Sequence, residues 1–102
     1  LERREPVDLL ALAAEEASHY DIEADGEPVT LQGDRLLLRR LVRNLVENAR
    51  RHGGDGPIEV TVRREHDCAV LEVVDRGPGV PEAERRRIFE PFYRLAGGKE
   101  SG

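Results

Sequence analysis

Two asparagines stand four residues apart in Asn44-Leu-Val-Glu-Asn48-Ala-Arg-Arg-His52. On a helix their amides lie one turn apart on one face, and Arg51 and His52 extend that edge by another turn. Asparagine is a poor helix former, because its amide competes for backbone bonds. A solvated polar face is one reading of the pair. The other is a ligand line, with neutral carbonyl oxygens to join a Mg²⁺ shell and then cations for phosphate; Mg²⁺ favours oxygen ligands shared with phosphates and water. A second candidate is Asp75-Arg76-Gly77-Pro78-Gly79. It reads as an ordinary turn, or as a carboxylate that accepts from an exocyclic amine beside glycines that let a ligand approach the backbone. It is no dinucleotide fingerprint, since Glu82 stands where a third glycine belongs. Gly98-Lys99 is no P-loop, since Glu100 follows it. Third, Phe89-Glu90-Pro91-Phe92-Tyr93-Arg94 holds three of the chain's four aromatic residues, Tyr20 being the other. It reads as a small core knot or as the anchor of a lid.

These residues need elements to hold them. Leu37, Leu38, Leu41, Val42, Leu45, Val46 and Ala49 recur at three- and four-residue spacing, which predicts an amphipathic helix from about Arg35 to His52. Asp34 is its N-cap, and Gly53-Gly54 after a cationic last turn is its stop. Ile58 to Arg64 alternates apolar and polar residues, His66-Asp67 turns the chain, and Ala69 to Asp75 forms the returning strand of a hairpin. Upstream, Pro6 is read as the first residue of a helix running to His19. Tyr20 to Gln32 is read as extended, with Asp25-Gly26 as a two-residue hairpin turn. Downstream, Pro81 opens a short helix with Glu82 and Glu84 in its first turn and Arg85, Arg86 and Arg87 in its last, matching the macrodipole. Ile88, Phe89 and Phe92 follow as an apolar knot, and Leu95 to Gly102 is a glycine-rich tail. Helices on one face of a mostly antiparallel sheet make a two-layer α/β sandwich of the α+β class.

Composition narrows the function classes. The chain has 102 residues, one domain's worth. Sixteen basic residues against twenty-one acidic ones give a net charge of −5, which argues against a general nucleic-acid binder. No apolar run approaches the roughly 18 residues that a membrane span needs. Cys68 is the single cysteine, so neither an internal disulfide nor a cysteine-built zinc site is available. Fifteen of the sixteen cations are arginine. A GC-rich genome accounts for most of them, and anion recognition by guanidinium forks suits only a few.

Taken together, Asn44 to His52, then Asp75-x-Gly77-x-Gly79-Val80-Pro81, then Ile88-Phe89-Glu90-Pro91-Phe92-Tyr93-Arg94 resemble the asparagine box, first glycine box and phenylalanine box of the catalytic ATP-binding domain of sensor histidine kinases. The resemblance covers essentially the whole chain. Residues 1–5 resemble the end of the linker from an upstream dimerisation domain, with the ATP-binding domain in residues 6–102. It implies a Bergerat-type ATP-binding fold that binds ATP and Mg²⁺. Asn48 would hold the metal, with Asn44 beside the phosphates and Arg51 and His52 meeting phosphate oxygens. Asp75 would accept from the adenine amino group. Gly77 and Gly79 would bring backbone close to the base, with Val80 packed near it. Phe89 and Phe92 would seat the lid beside Tyr93, and Arg94 would approach the terminal phosphate as the one catalytic candidate.

The intact protein would then pass the γ-phosphoryl group to a histidine on the neighbouring dimerisation domain, and from there serve a response regulator. A cytoplasmic domain is implied, in a parent kinase anchored in the inner membrane or free of it. Hydrolysing relatives carry a general-base glutamate one turn before the metal-binding asparagine; here that position is Asn44. Glu47 points about 100° away from Asn48 around the helix. A serine-directed, anti-sigma-type kinase and a non-catalytic nucleotide-binding module are the alternatives. Two departures qualify the match. The chain reaches Ser101-Gly102 about where the second glycine box would begin, so the fold is expected to be C-terminally incomplete. His19, His52 and His66 lie outside the family's acceptor context, so this piece is not expected to phosphorylate itself.

Overall fold

Two aspartates decide where the two helices begin. The computed structural model describes residues 4–53, 56–76 and 82–89, with the side chains of 52–53, 82–87 and 89 left aside. In α1 (Leu9–Ser18) the Asp8 carboxylate accepts from the Ala11 N–H at 3.1 Å. In α2 (Arg35–Gly53) the Asp34 carboxylate accepts from Leu36 and Leu37 at 2.9 and 3.3 Å. Each satisfies amides that a helix start leaves without intrahelical partners. The α2 bounds and cap agree with the sequence reading. The start of α1 does not: Pro6 lies in β1 (Glu5–Asp8), which pairs antiparallel with β3 (Thr30–Gly33). This two-stranded ribbon tolerates a proline because a strand at an edge need not donate from every position. Val7 and Leu31 face each other across it, both buried.

The main sheet has the order β2-β4-β5-β6, from β2 (Ala24–Gly26), β4 (Ile58–Glu65), β5 (Cys68–Asp75) and β6 (Glu82–Phe89). The β4–β5 hairpin runs in the expected register, from Ile58↔Asp75 to Glu65↔Cys68, with His66 left-handed in the turn (φ 55°). Two expectations fail. Asp25-Gly26 makes no hairpin: β2 lies parallel to β4, with Gly26 opposite Val62. Residues 82–89 form a strand and not a helix, antiparallel to β5 from Asp75↔Glu82 to Cys68↔Phe89. Without it, β5 would present eight residues of unpaired backbone on one edge. That tertiary demand outweighs the local helical polarity. It also brings Ile88 into the core at 1% exposure. Phe92 and the tail lie outside the described residues.

The core fills one side of this sheet. Ile58, Val60 and Val62 of β4 and Ala69, Leu71 and Val73 of β5 alternate along their strands and share one cluster with Leu12 and Ala13 of α1 and Leu38, Val42 and Leu45 of α2. Helices on one face of a sheet give the α+β, two-layer sandwich expected. The helices are also joined by charge. Glu16 is buried, and its carboxylate accepts from Arg39 at 3.0 Å and Arg43 at 3.5 Å, while Arg39 reaches Glu15 at 3.1 Å. A carboxylate this deep needs such partners, because an unpaired one would lose its hydration without replacement.

Candidate functional site

The buried stripe of α2 fixes what its other side presents. With Leu38, Val42, Leu45 and Val46 in the core, Asn44 and Arg51 are exposed and Asn48 is half-buried. The Asn48 Oδ1 accepts from Arg51 Nη1 at 3.0 Å. The amide oxygen and the guanidinium thus form one polar group on the last turns of the helix. His52 belongs to the same turn by its backbone, and its side chain lies outside the described atoms.

Glu47, next to Asn48, is turned elsewhere. Its Oε2 accepts from the Tyr20 hydroxyl at 2.7 Å, a contact between the turn that follows α1 and the second turn from the end of α2. The hydrogen bond to Glu47 raises the Tyr20 pKa, with desolvation and the Glu47 charge adding in the same direction. A raised folded-state pKa adds stability that is fully present below the ordinary tyrosine value and lost as pH climbs through the shifted one. A tyrosinate absorbance titration in a Tyr93→Phe background is therefore expected to show Tyr20 ionising above a free tyrosine. In Glu47→Gln the midpoint should fall back toward the ordinary value; an unchanged midpoint would refute the assignment of the shift to Glu47. Sequence reasoning missed this contact, because 27 residues separate the partners and no periodicity links them.

Asp75 is placed by the sheet. It follows Ala69, Leu71 and Val73 on the core-facing side of β5 and is 8% exposed. Its register partner is Ile58, the first residue of β4. Five residues lead from Gly53, the end of α2, to Ile58, a reach of no more than about 18 Å. So Asp75 and the Asn48–Arg51 turn lie at one end of the sandwich, on the helix side. Arg50 secures that end by donating from Nη1 to the Gly56 carbonyl at 3.2 Å. On the next strand end, Arg76 donates its N–H to the Pro57 carbonyl at 2.9 Å and pairs with Glu59 at 3.1 Å. Gly77, Gly79, Val80, Phe92, Tyr93 and Arg94 lie outside the described residues. An open cavity of about 670 Å³ occurs elsewhere, lined by Pro6, Asp8, Leu12, Glu15, Thr30 and Arg35. Arg35 stands thirteen residues before Asn48, about 20 Å along the helix axis, so this cavity is separate from the Asn48–Arg51 turn.

Residues 33–102 match the family profile of histidine kinase-, DNA gyrase B- and HSP90-like ATPases. The chain belongs to this family. ATP is the nucleotide of such domains. Its relatives within the family include sensor proteins and sensor histidine kinases. The sensor protein CutS of Streptomyces coelicolor is 41% identical over 90% of this chain and 25% of CutS. The alginate biosynthesis sensor protein KinB of Pseudomonas aeruginosa is 42% identical over 79% of this chain and 14% of KinB. Among solved structures, the ATP-binding domain of PrrB from Mycobacterium tuberculosis superposes with a TM-score of 0.60 at 27% identity, covering 76% of this chain and 63% of that domain. The family member described here is thus akin to the catalytic ATP-binding domains of sensor histidine kinases. It spans about a quarter or less of the length of these curated relatives. No helix among the described residues is long and apolar enough to cross a membrane.

Proposed function

We propose that this chain is a cytoplasmic domain that captures Mg·ATP for a sensor histidine kinase, anchored in the inner membrane or free of it, which transfers the γ-phosphoryl group to a histidine of its dimerisation domain and thence to a response regulator. The observation that supports the reading is an outward Asn44–Asn48–Arg51 line on the last turns of α2, with the buried Asp75 paired to the first residue of β4, the strand that follows α2. The donor chemistry fits a magnesium ion. Asn48 offers a neutral amide oxygen, the hard ligand that Mg²⁺ takes when phosphates and water supply the rest of its shell. When bound, the ion neutralises phosphate charge. Asn48 would hold it through Oδ1, with Asn44 beside the phosphates and Arg51 and His52 donating to phosphate oxygens.

Asp75 would accept the adenine amino hydrogen, with Gly77, Gly79 and Val80 next to the base. Phe89 and Phe92 would seat the lid, Tyr93 would adjoin the nucleotide, and Arg94 would approach the terminal phosphate. Phosphoryl transfer asks a protein mainly for positioning and charge stabilisation, which this set supplies. Glu47, the carboxylate next to Asn48 in the sequence, is engaged by Tyr20, which favours transfer to a protein over activation of water.

The test is calorimetric titration with non-hydrolysable ATP and GTP analogues. The wild-type chain should prefer adenine. In Asp75→Asn the preference should shrink about 10- to 100-fold, since a hydrogen bond to a charged group contributes about 1.5–3 kcal/mol. A folded chain that bound both bases equally, with Asp75→Asn making no difference, would defeat the assignment.

A further inference from the structure

Four side chains near the end of α2 compete for one another, and the structure records one outcome. Glu47 and Arg51 are spaced i, i+4 with the acid nearer the N-terminus, the favourable orientation for a helical ion pair. Yet Arg51 donates to the neutral Asn48 amide at 3.0 Å, and Glu47 accepts from Tyr20 at 2.7 Å. The other cations within reach of Glu47 on α2 have partners of their own. Arg43 lies 3.5 Å from Glu16, and Arg50 donates to the Gly56 carbonyl. Arg51 is the neighbouring cation that a released Glu47 would draw, because a carboxylate is a stronger acceptor than an amide.

We propose that Tyr20 is a positioning residue for the nucleotide face: by holding Glu47 it leaves Arg51 beside Asn48, free to turn to a phosphate. The inference rests on the nucleotide-binding reading above for its consequence, though not for the pairing itself. Tyr20 touches no ligand; it acts through Glu47 on Arg51. Removing its hydroxyl lets Glu47 take Arg51 back by one turn, and an anionic ligand must then break that ion pair before it can bind.

Two measurements on the same chain separate these levels. In the ligand-free protein, the Arg51 Nε–Hε resonance should shift in Tyr20→Phe and return to its wild-type position in Tyr20→Phe/Glu47→Gln. In calorimetry with Mg²⁺ and a non-hydrolysable ATP analogue, Tyr20→Phe should weaken binding about twofold at low ionic strength, with the gap closing as salt rises. The double variant should regain wild-type affinity. A purely structural Tyr20 would give a double variant as weak as the single one, and that result, or an unmoved Arg51 resonance, overturns the proposal. A folded wild-type chain that binds no nucleotide would defeat the functional reading instead, while the resonance still decides the pairing. Tyr20→Phe keeps the ring.

Discussion

Asn48→Ala is expected to remove the magnesium-dependent part of nucleotide binding while leaving the fold intact or slightly more stable. The two effects have opposite signs for separate reasons. Alanine is the better helix former, by about 0.5 kcal/mol, and the lost Asn48–Arg51 hydrogen bond is a solvent-exposed one worth little. The ligand, however, loses the amide oxygen assigned to its metal. Removing groups that merely orient a metal ligand already costs about 10- to 100-fold in affinity, so losing the ligand itself should cost roughly 100-fold. Titrating the ATP analogue with and without Mg²⁺ reads this directly. In the wild type magnesium should strengthen binding, and in Asn48→Ala the two curves should coincide. A variant that keeps both its affinity and its response to magnesium would move the metal elsewhere. Thermal unfolding of the same sample guards against a trivial loss through unfolding, because its midpoint should not fall.

That prediction is available because the most informative part of this chain is also its most regular. In α2 the apolar stripe, the Asp34 cap and the glycine stop all agree, so the sequence alone puts Asn44, Asn48 and Arg51 on one outward line. The β4–β5 hairpin was equally legible. Its alternation fixes which side of the sheet Asp75 faces, and register does the rest, since a slip of one residue would turn every core side chain outward. The failures have a common cause. Pro6 looks like a helix start, and residues 82–89 look like a helix with well-placed charges. Both are strands, because a neighbouring edge needs a partner. Edge pairing is a non-local demand that neither periodicity nor propensity records. Tyr20 belongs to the same class, since only the packing of α1 against α2 brings it to Glu47.

Gly26→Ala is expected to be the most damaging single-methyl change among the described residues, and it tests the least foreseeable feature of the fold. Asp25-Gly26 has the composition of a tight hairpin turn. Gly26 instead sits at φ +126° opposite Val62, in a strand that runs parallel to β4. A Cβ built there would overlap the Val62 carbonyl oxygen and lie 2.9 Å from its nitrogen. Both atoms are backbone in a central strand, so neither can yield as the tip of a side chain would. The same carbonyl accepts from Glu27 N–H at 2.9 Å, so moving it away also loses that bond. Backbone strain at such a φ amounts to about 1–3 kcal/mol, and the clash adds to it, for a total of about 3 kcal/mol or more. Against a typical stability of about 5–15 kcal/mol, the unfolding midpoint should drop on the order of 10–20 °C. Asp25→Ala is the control. It removes one exposed hydrogen bond to the Gly26 N–H, and its midpoint should stay within about 2 °C of the wild type. If the two variants unfolded together near the wild-type temperature, β2 would not be docked on β4. Were β2 freed, the chain joining α1 to the sheet would lose its anchor six residues after Tyr20. Gly26→Ala should therefore also relax the Tyr20–Glu47 contact, lowering the Tyr20 ionisation midpoint at temperatures where the rest of the domain is still folded.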